Sequence, residues 1–188
     1  MGTIRIDVPA AQAHDPYAFA GATHAREIMA AAGAFSKAVY THSTLSLREF
    51  EGARARTAEI NGCIICQAFR AARDAPAMFA ASGTRPPRIV SDNGPAPDEA
   101  FYAAVGEWRT SPLFSERERL AIEFAERFAA EPKVLAEDED FWARTRAAFA
   151  DGEIVDLAHS VAAWVGLGRV AHVLGFDTVC LPFAAEAA

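Results

Sequence analysis

Lysine is scarce in this sequence, with only Lys37 and Lys133 among 188 residues, and the formal net charge is −7. No basic block offsets the acidic balance, which argues against nucleic acid as a partner. Strict apolar–polar alternation is also missing, and its absence excludes a half-buried sheet as the organising element. The opening stretch "MGTIRIDVPAAQAHDP" lacks a basic segment followed by an uninterrupted apolar run, so no secretory signal is visible. Ile6 stands where a myristoylation pattern needs Ser or Thr. The most apolar long segment, 155–176, is interrupted by Asp156, His159, Arg169 and His172 and reads as a buried core helix, with no membrane as partner. Cysteine is limited to Cys63, Cys66 and Cys180. An odd count without a signal reads as reduced thiols in a cytoplasmic setting, not as a disulfide framework.

Alanine is plentiful, and apolar residues recur at helical spacing along almost the whole chain. The pattern predicts an all-α fold, long enough for one domain with a substantial core and short for two. A first helix is expected over 23–40, with Ile28, Ala31, Ala32, Phe35 and Val39 as its inner stripe. "SLRE" (46–49) is a capping-box pattern that opens a helix running to about Ile60. Asn61-Gly62 closes it, because both residues tolerate the left-handed conformation of a helix end, and a new helix starts at Cys63. Past Ala75-Pro76 the stretch 82–97 is too rich in Pro, Gly, Ser and Asp to be helical. Helices are expected again over 98–109, from the second capping box "SERE" (115–118) to Pro132, and over 138–149 and 154–174. The paired boxes hint at two similar halves.

The stretch "EINGCIICQAFR" (59–70) carries the chemistry. A C-x-x-C on a helix places both sulfurs on one face, within reach of a disulfide, and the unpaired N–H groups of a helix start favour a thiolate at Cys63. A zinc site would need four ligands, and only Cys180 and scattered histidines are there to complete it. A third reading keeps the two cysteines as small buried residues.

The wider segment "EFEGARARTAEINGCIIC", with Glu51 twelve residues before Cys63, resembles the active-site segment of the AhpD-like (alkylhydroperoxidase D-like) branch of the carboxymuconolactone decarboxylase superfamily. "SPLFSERERLAIEFAE" and "FADGEIVDLAHSVAAWVGLGRVAHVLG" resemble that family's two downstream helices, so the likeness extends over about 24–176. The resemblance implies an all-α, AhpD-like helical bundle forming a homo-oligomer, a trimer or hexamer before a dimer. It implies a thiol-dependent peroxidase or disulfide reductase with an antioxidant role and no cofactor or metal. Its substrate would be a peroxide or a partner's disulfide, and a thiol its electron donor. Cys66 would be the attacking sulfur, Cys63 the resolving one, and Glu51 part of a proton relay. The decarboxylases of the superfamily lack the cysteine pair, so their lactone chemistry does not carry over.

Two positions depart from the family pattern. Many members have histidine just before the second cysteine and another four residues after it; Ile65 and Arg70 stand there in this chain. Arginine cannot act as a base, but one helical turn beyond Cys66 its charge would stabilise a thiolate. The alternative is a surface or interface arginine in a member that has lost peroxidase activity and serves as a ligand-binding or assembly protein. Glu51 has its own plain alternative as a glutamate complementing a helix dipole. Arg54 and Arg56 fit salt bridges or subunit contacts. His42 lies just before the capped helix, where it could line the site. His159 and His172 are too far apart for a helical metal pair. "GLGRVA" (166–171) matches a dinucleotide fingerprint in letters but lacks a preceding strand, and reads as small-residue helix packing. The expected organisation is an arm over 1–22, the helical domain over 23–176 and a tail over 177–188.

Overall fold

The computed structural model describes residues 3–84 and 86–178. Among them are ten α-helices linked by short 3₁₀ turns, and no strand. Pro16–Thr23 (α1) and Arg26–His42 (α2) lead into Leu47–Asn61 (α3), followed by Ile64–Ala68 (α4), Ala71–Ala81 (α5) and Glu99–Ala103 (α6). Glu116–Ala130 (α7), Pro132–Glu137 (α8), Glu139–Ala148 (α9) and Asp151–Val173 (α10) complete the order.

The centre of the fold is the pair α3 and α7, and both helices start as the sequence predicts. Ser46 accepts from the Glu49 N–H while Glu49 reaches back to the Ser46 N–H, and Ser115 and Glu118 repeat the arrangement. Each such cap is worth about 1 kcal/mol. The two helices run parallel and exchange arginines between their caps. Arg48 Nε donates to Glu118 Oε1 at 2.5 Å, and Arg117 Nε donates to Glu49 Oε1 at 2.5 Å. Further along, Arg56 Nε meets Glu126 Oε2 at 2.7 Å. These partners stand 68 to 70 residues apart, so the paired "SLRE" and "SERE" boxes correspond to a reciprocal contact.

The core gathers Phe50 and Ala53 of α3, Leu120, Phe124 and Ala125 of α7, Phe141 of α9, and Leu157 and Val161 of α10. By length and composition α10 could cross a membrane. Here it packs along α3, α2 and α7.

Two expectations are corrected, the inner stripe of α2 and the single helix over 98–109. The stripe on α2 does not face inward in this chain: Ile28 is 73% and Phe35 39% exposed, while only Val39 is buried, because α2 reaches the core through its C-terminal end. Pro76 lies inside α5, whose buried Ala71, Ala75 and Phe79 outweigh a local cost of about 3 kcal/mol. The segment 98–109 is not one helix but α6 followed by a 3₁₀ turn at Val105–Glu107. At the N-terminus, α1 packs on α2, so the expected arm is partly helical.

Candidate functional site

The helix break predicted at Asn61-Gly62 is where the cysteines are presented. Gly62 ends α3 with φ +70°, a left-handed conformation that glycine adopts without steric cost. Cys63 caps the short α4 and Cys66 lies within it. The two form a disulfide, with an S–S distance of 2.08 Å and Cα atoms 5.2 Å apart. Cys63 is fully buried, whereas Cys66 is partly exposed. Gly168 of α10 packs over this break. A Cβ added there would lie 2.6 Å from Asn61 Nδ2 and 3.8 Å from Cys66 Sγ. Asn61 Nδ2 donates to the Trp164 carbonyl at 2.9 Å, and Arg169 Nε donates to Asn61 Oδ1 at 3.0 Å. The "GLGRVA" segment thus serves close helix packing, as its setting implied.

Glu51 and Arg54, three residues apart on α3, form a buried ion pair behind the cysteines, 0% and 3% exposed at their side chains. Arg54 Nε donates to Glu51 Oε1 at 2.5 Å and Nη2 donates to Oε2 at 3.2 Å. Glu51 Oε2 also accepts from the Ala71 N–H at 3.1 Å and from the Tyr102 hydroxyl. Four donors therefore converge on one carboxylate. The other face of the guanidinium binds the cysteine loop, with Nη1 donating to the Cys66 carbonyl at 2.6 Å and Nη2 to the Phe69 carbonyl at 2.7 Å. Burial alone would push the Arg54 guanidinium down; the Glu51 charge and its hydrogen bonds outweigh that and leave it raised. The Tyr102 phenol is pushed well up, by burial first and then by the Glu51 charge, so it remains a protonated donor.

Arg70 is placed differently from the sequence expectation. The helix carrying Cys66 ends at Ala68, and Phe69 and Arg70 are extended, so Arg70 is not one helical turn beyond Cys66. The Asn/Gly break and a second interruption leave α4 only five residues long. The Arg70 guanidinium grips Glu99 with Nε and Nη2 at 3.0 and 2.9 Å. It stacks 3.9 Å from the Tyr102 ring centroid and donates from Nη1 to the Gln67 and Phe69 carbonyls. None of these contacts is to sulfur. Glu99 is lowered, chiefly by the Arg70 hydrogen bond. Gln67, Arg70, Glu99, Tyr102 and Glu59 line an open cavity of about 270 Å³, so Tyr102 spans from the buried Glu51 to the cavity wall.

Ile65 sits partly buried between the cysteines. His42 is exposed at the end of α2, where its contacts are to Thr41 and the Ala38 carbonyl of its own helix. His159 likewise turns its Nδ1 to the Val155 carbonyl of its own helix. No group of three His, Cys, Asp or Glu side chains suited to a metal is found among the described residues. Cys180 lies outside them. Sequence reasoning missed Tyr102, which no local signal connects to Glu51. It also missed Asp177, whose buried carboxylate accepts from the Ile64 N–H at 3.0 Å and from His172 Nδ1 at 2.9 Å. The tie between Glu51 and Arg54 was readable from their i, i+3 spacing.

No known family profile matches this chain, and no curated protein does so significantly. A solved structure does. It is the crystal structure of a protein of unknown function from Agrobacterium tumefaciens, with a suggested role as the antioxidant defence protein AhpD. It superposes with a TM-score of 0.60 over 86% of this chain and 95% of its own, at 22% sequence identity. The two share an all-α, single-domain AhpD-like fold.

Proposed function

We propose that this chain is an AhpD-like dithiol oxidoreductase that reduces a peroxide or a partner's disulfide by cycling Cys63 and Cys66. The observation that carries the reading is the Cys63–Cys66 bond itself, formed across a helix start with one sulfur buried and the other partly open to solvent. In the oxidative half, the Cys66 thiolate attacks a peroxide oxygen, the O–O bond breaks, and the alkoxide leaves with a proton as alcohol or water. Cys63 then attacks the resulting sulfenic acid, expelling water and forming the disulfide. A thiol donor returns both cysteines to the reduced state.

Arg54 supports this chemistry by fixing the Cys66 carbonyl, and with it the short helix, to a buried charge. Glu51 has both oxygens engaged in the oxidised form, so its part in a proton relay runs through Tyr102, toward the cavity bordered by Arg70. The exposed apolar residues Ile28 and Phe35 on α2 and Val155, Val170 and Val173 on α10 support the homo-oligomer that the fold resemblance implies. A monomeric mass by light scattering at micromolar concentration would overturn that assembly.

The deciding experiment titrates free thiols before and after one equivalent of peroxide and locates the bond by peptide mapping. Loss of two thiols with a Cys63–Cys66 linkage is expected, with Cys180 left free. If both thiols survive, or Cys180 is bonded to either, the reading fails. A second reading, a redox-inert member that binds a ligand or scaffolds an assembly, is favoured by one observation: Arg70, which replaces a family histidine, is held by Glu99 and Tyr102. Thiols that resist peroxide in a folded protein would select it.

A further inference from the structure

Beside the cysteines, and sharing no contact with Glu51 or Arg54, lies a second ionisable pair that the mechanism above leaves unused. His172, in the last turn of α10, turns its Nδ1 to Asp177 Oδ2 at 2.9 Å. Asp177 is 2% exposed, and the same oxygen accepts from the Ile64 N–H at 3.0 Å. The far edge of the imidazole faces Gly62: a Cβ built there would lie 3.2 Å from His172 Nε2 and 3.3 Å from Cε1. The pair therefore brackets Cys63, with the ring against the residue before it and the carboxylate on the residue after it. A carboxylate on Nδ1 fixes that nitrogen as the donor and leaves Nε2 free to take or give a proton. The histidine side chain is 45% exposed, so it can exchange that proton with water.

We propose that His172, oriented by Asp177, is the proton carrier for Cys63. The inference rests on the dithiol reading and adds to it a device outside the C-x-x-C segment. During reduction a donor thiolate attacks Cys66, since Cys63 is buried; the S–S bond breaks, Cys66 enters a mixed disulfide, and Cys63 leaves as a thiolate. His172 in its imidazolium form hands its Nε2 proton to that sulfur and becomes neutral. A second donor thiolate then releases Cys66 and carries the oxidising equivalents away as the donor disulfide. In the oxidative half the direction reverses. Neutral His172 takes the Cys63 proton as this sulfur attacks the Cys66 sulfenic acid and becomes imidazolium, while the hydroxide expelled from Cys66 takes a proton from solvent and leaves as water. Among the contacts of the ring, the ionisable group is Asp177; from α3 it meets Gly62.

The test uses reduction of the preformed disulfide by dithiothreitol, which needs no peroxide and so stands apart from the peroxidase reading. His172→Gln keeps a hydrogen-bonding side chain but cannot carry a proton, and it is expected to slow disulfide reduction at neutral pH by about a hundredfold or more, the scale of a lost general acid. In His172→Ala, added imidazole should restore part of the rate, while the wild-type rate stays flat over the same concentrations. Reduction of His172→Gln at the wild-type rate, or an Ala variant indifferent to imidazole, would overturn the proposal. Failure of the dithiol reading would show separately, as wild-type thiols that do not close on peroxide.

Discussion

Arg54 Nη1 donates to the carbonyl oxygen of Cys66 at 2.6 Å, so a charge buried in α3 holds the short helix that carries the partly exposed cysteine. The same guanidinium is the counter-ion of Glu51, which has no contact with solvent. Removing one partner of a buried pair leaves the other charge uncompensated.

Arg54→Met is accordingly expected to destabilise the fold by about 3–5 kcal/mol, whereas the double change Arg54→Met with Glu51→Leu should recover much of that loss. Urea denaturation of the oxidised protein measures both. A single variant within 1 kcal/mol of wild type would mean that water reaches the pair.

Arg70 and the sulfur are separated in function by Glu99. In the reduced protein, Arg70→Ala should move the pH midpoint of Cys66 alkylation upward by less than about half a unit, the scale of a partly exposed ion pair. Iodoacetamide rates from pH 6 to 9 give the midpoint. A larger rise would show that Arg70 swings to the thiolate once the disulfide opens, as the sequence first suggested.

Asp74 supplies a pH prediction. Burial opposes its ionisation, but the Arg73 hydrogen bond at 2.7 Å, the Arg70 N–H at 2.7 Å and nearby positive charge hold its carboxyl below the usual range. A folded-state value below the unfolded one, about 3.9, contributes stability that is complete above that pH and is lost as pH falls through the folded value. Asp74→Asn should therefore lower Tm at pH 7, with the gap to wild type closing below about pH 4. Thermal melts across that range check it, and a constant gap would remove the linkage.

Gly168→Ala puts a Cβ 2.6 Å from Asn61 Nδ2, and nothing lies within 4 Å of the same change at Gly166. The first should cost about 1–3 kcal/mol through overpacking and shift the dithiothreitol reactivity of the disulfide. The second should be neutral or stabilise by up to ~1 kcal/mol, since alanine suits a helix interior better than glycine. Equal melting temperatures for the two variants would mean that α10 can move off the cysteines freely.

Much of the fold was legible because its signals are local. Ser46, Ser115 and their glutamates announce helix starts through contacts three residues long, and Gly62 announces a stop through its own backbone freedom. Cys63 and Cys66 can meet at that spacing on almost any helix start, so their pairing needed no tertiary knowledge. The stripe of α2 was misread because an apolar face does not say which surface covers it.

What the sequence determined by itself is the all-α character, the helix break and the adjacency of the two thiols, each fixed by interactions spanning a few residues. Tertiary structure alone decided the neighbours of those thiols. Tyr102 comes to Glu51 from 51 residues away, Glu99 takes Arg70 from 29, and Asp177 reaches the Ile64 N–H from 113. Such pairings follow from how α3, α6 and α10 pack. A charge or hydroxyl has many suitable partners along a chain, and only close packing selects one of them.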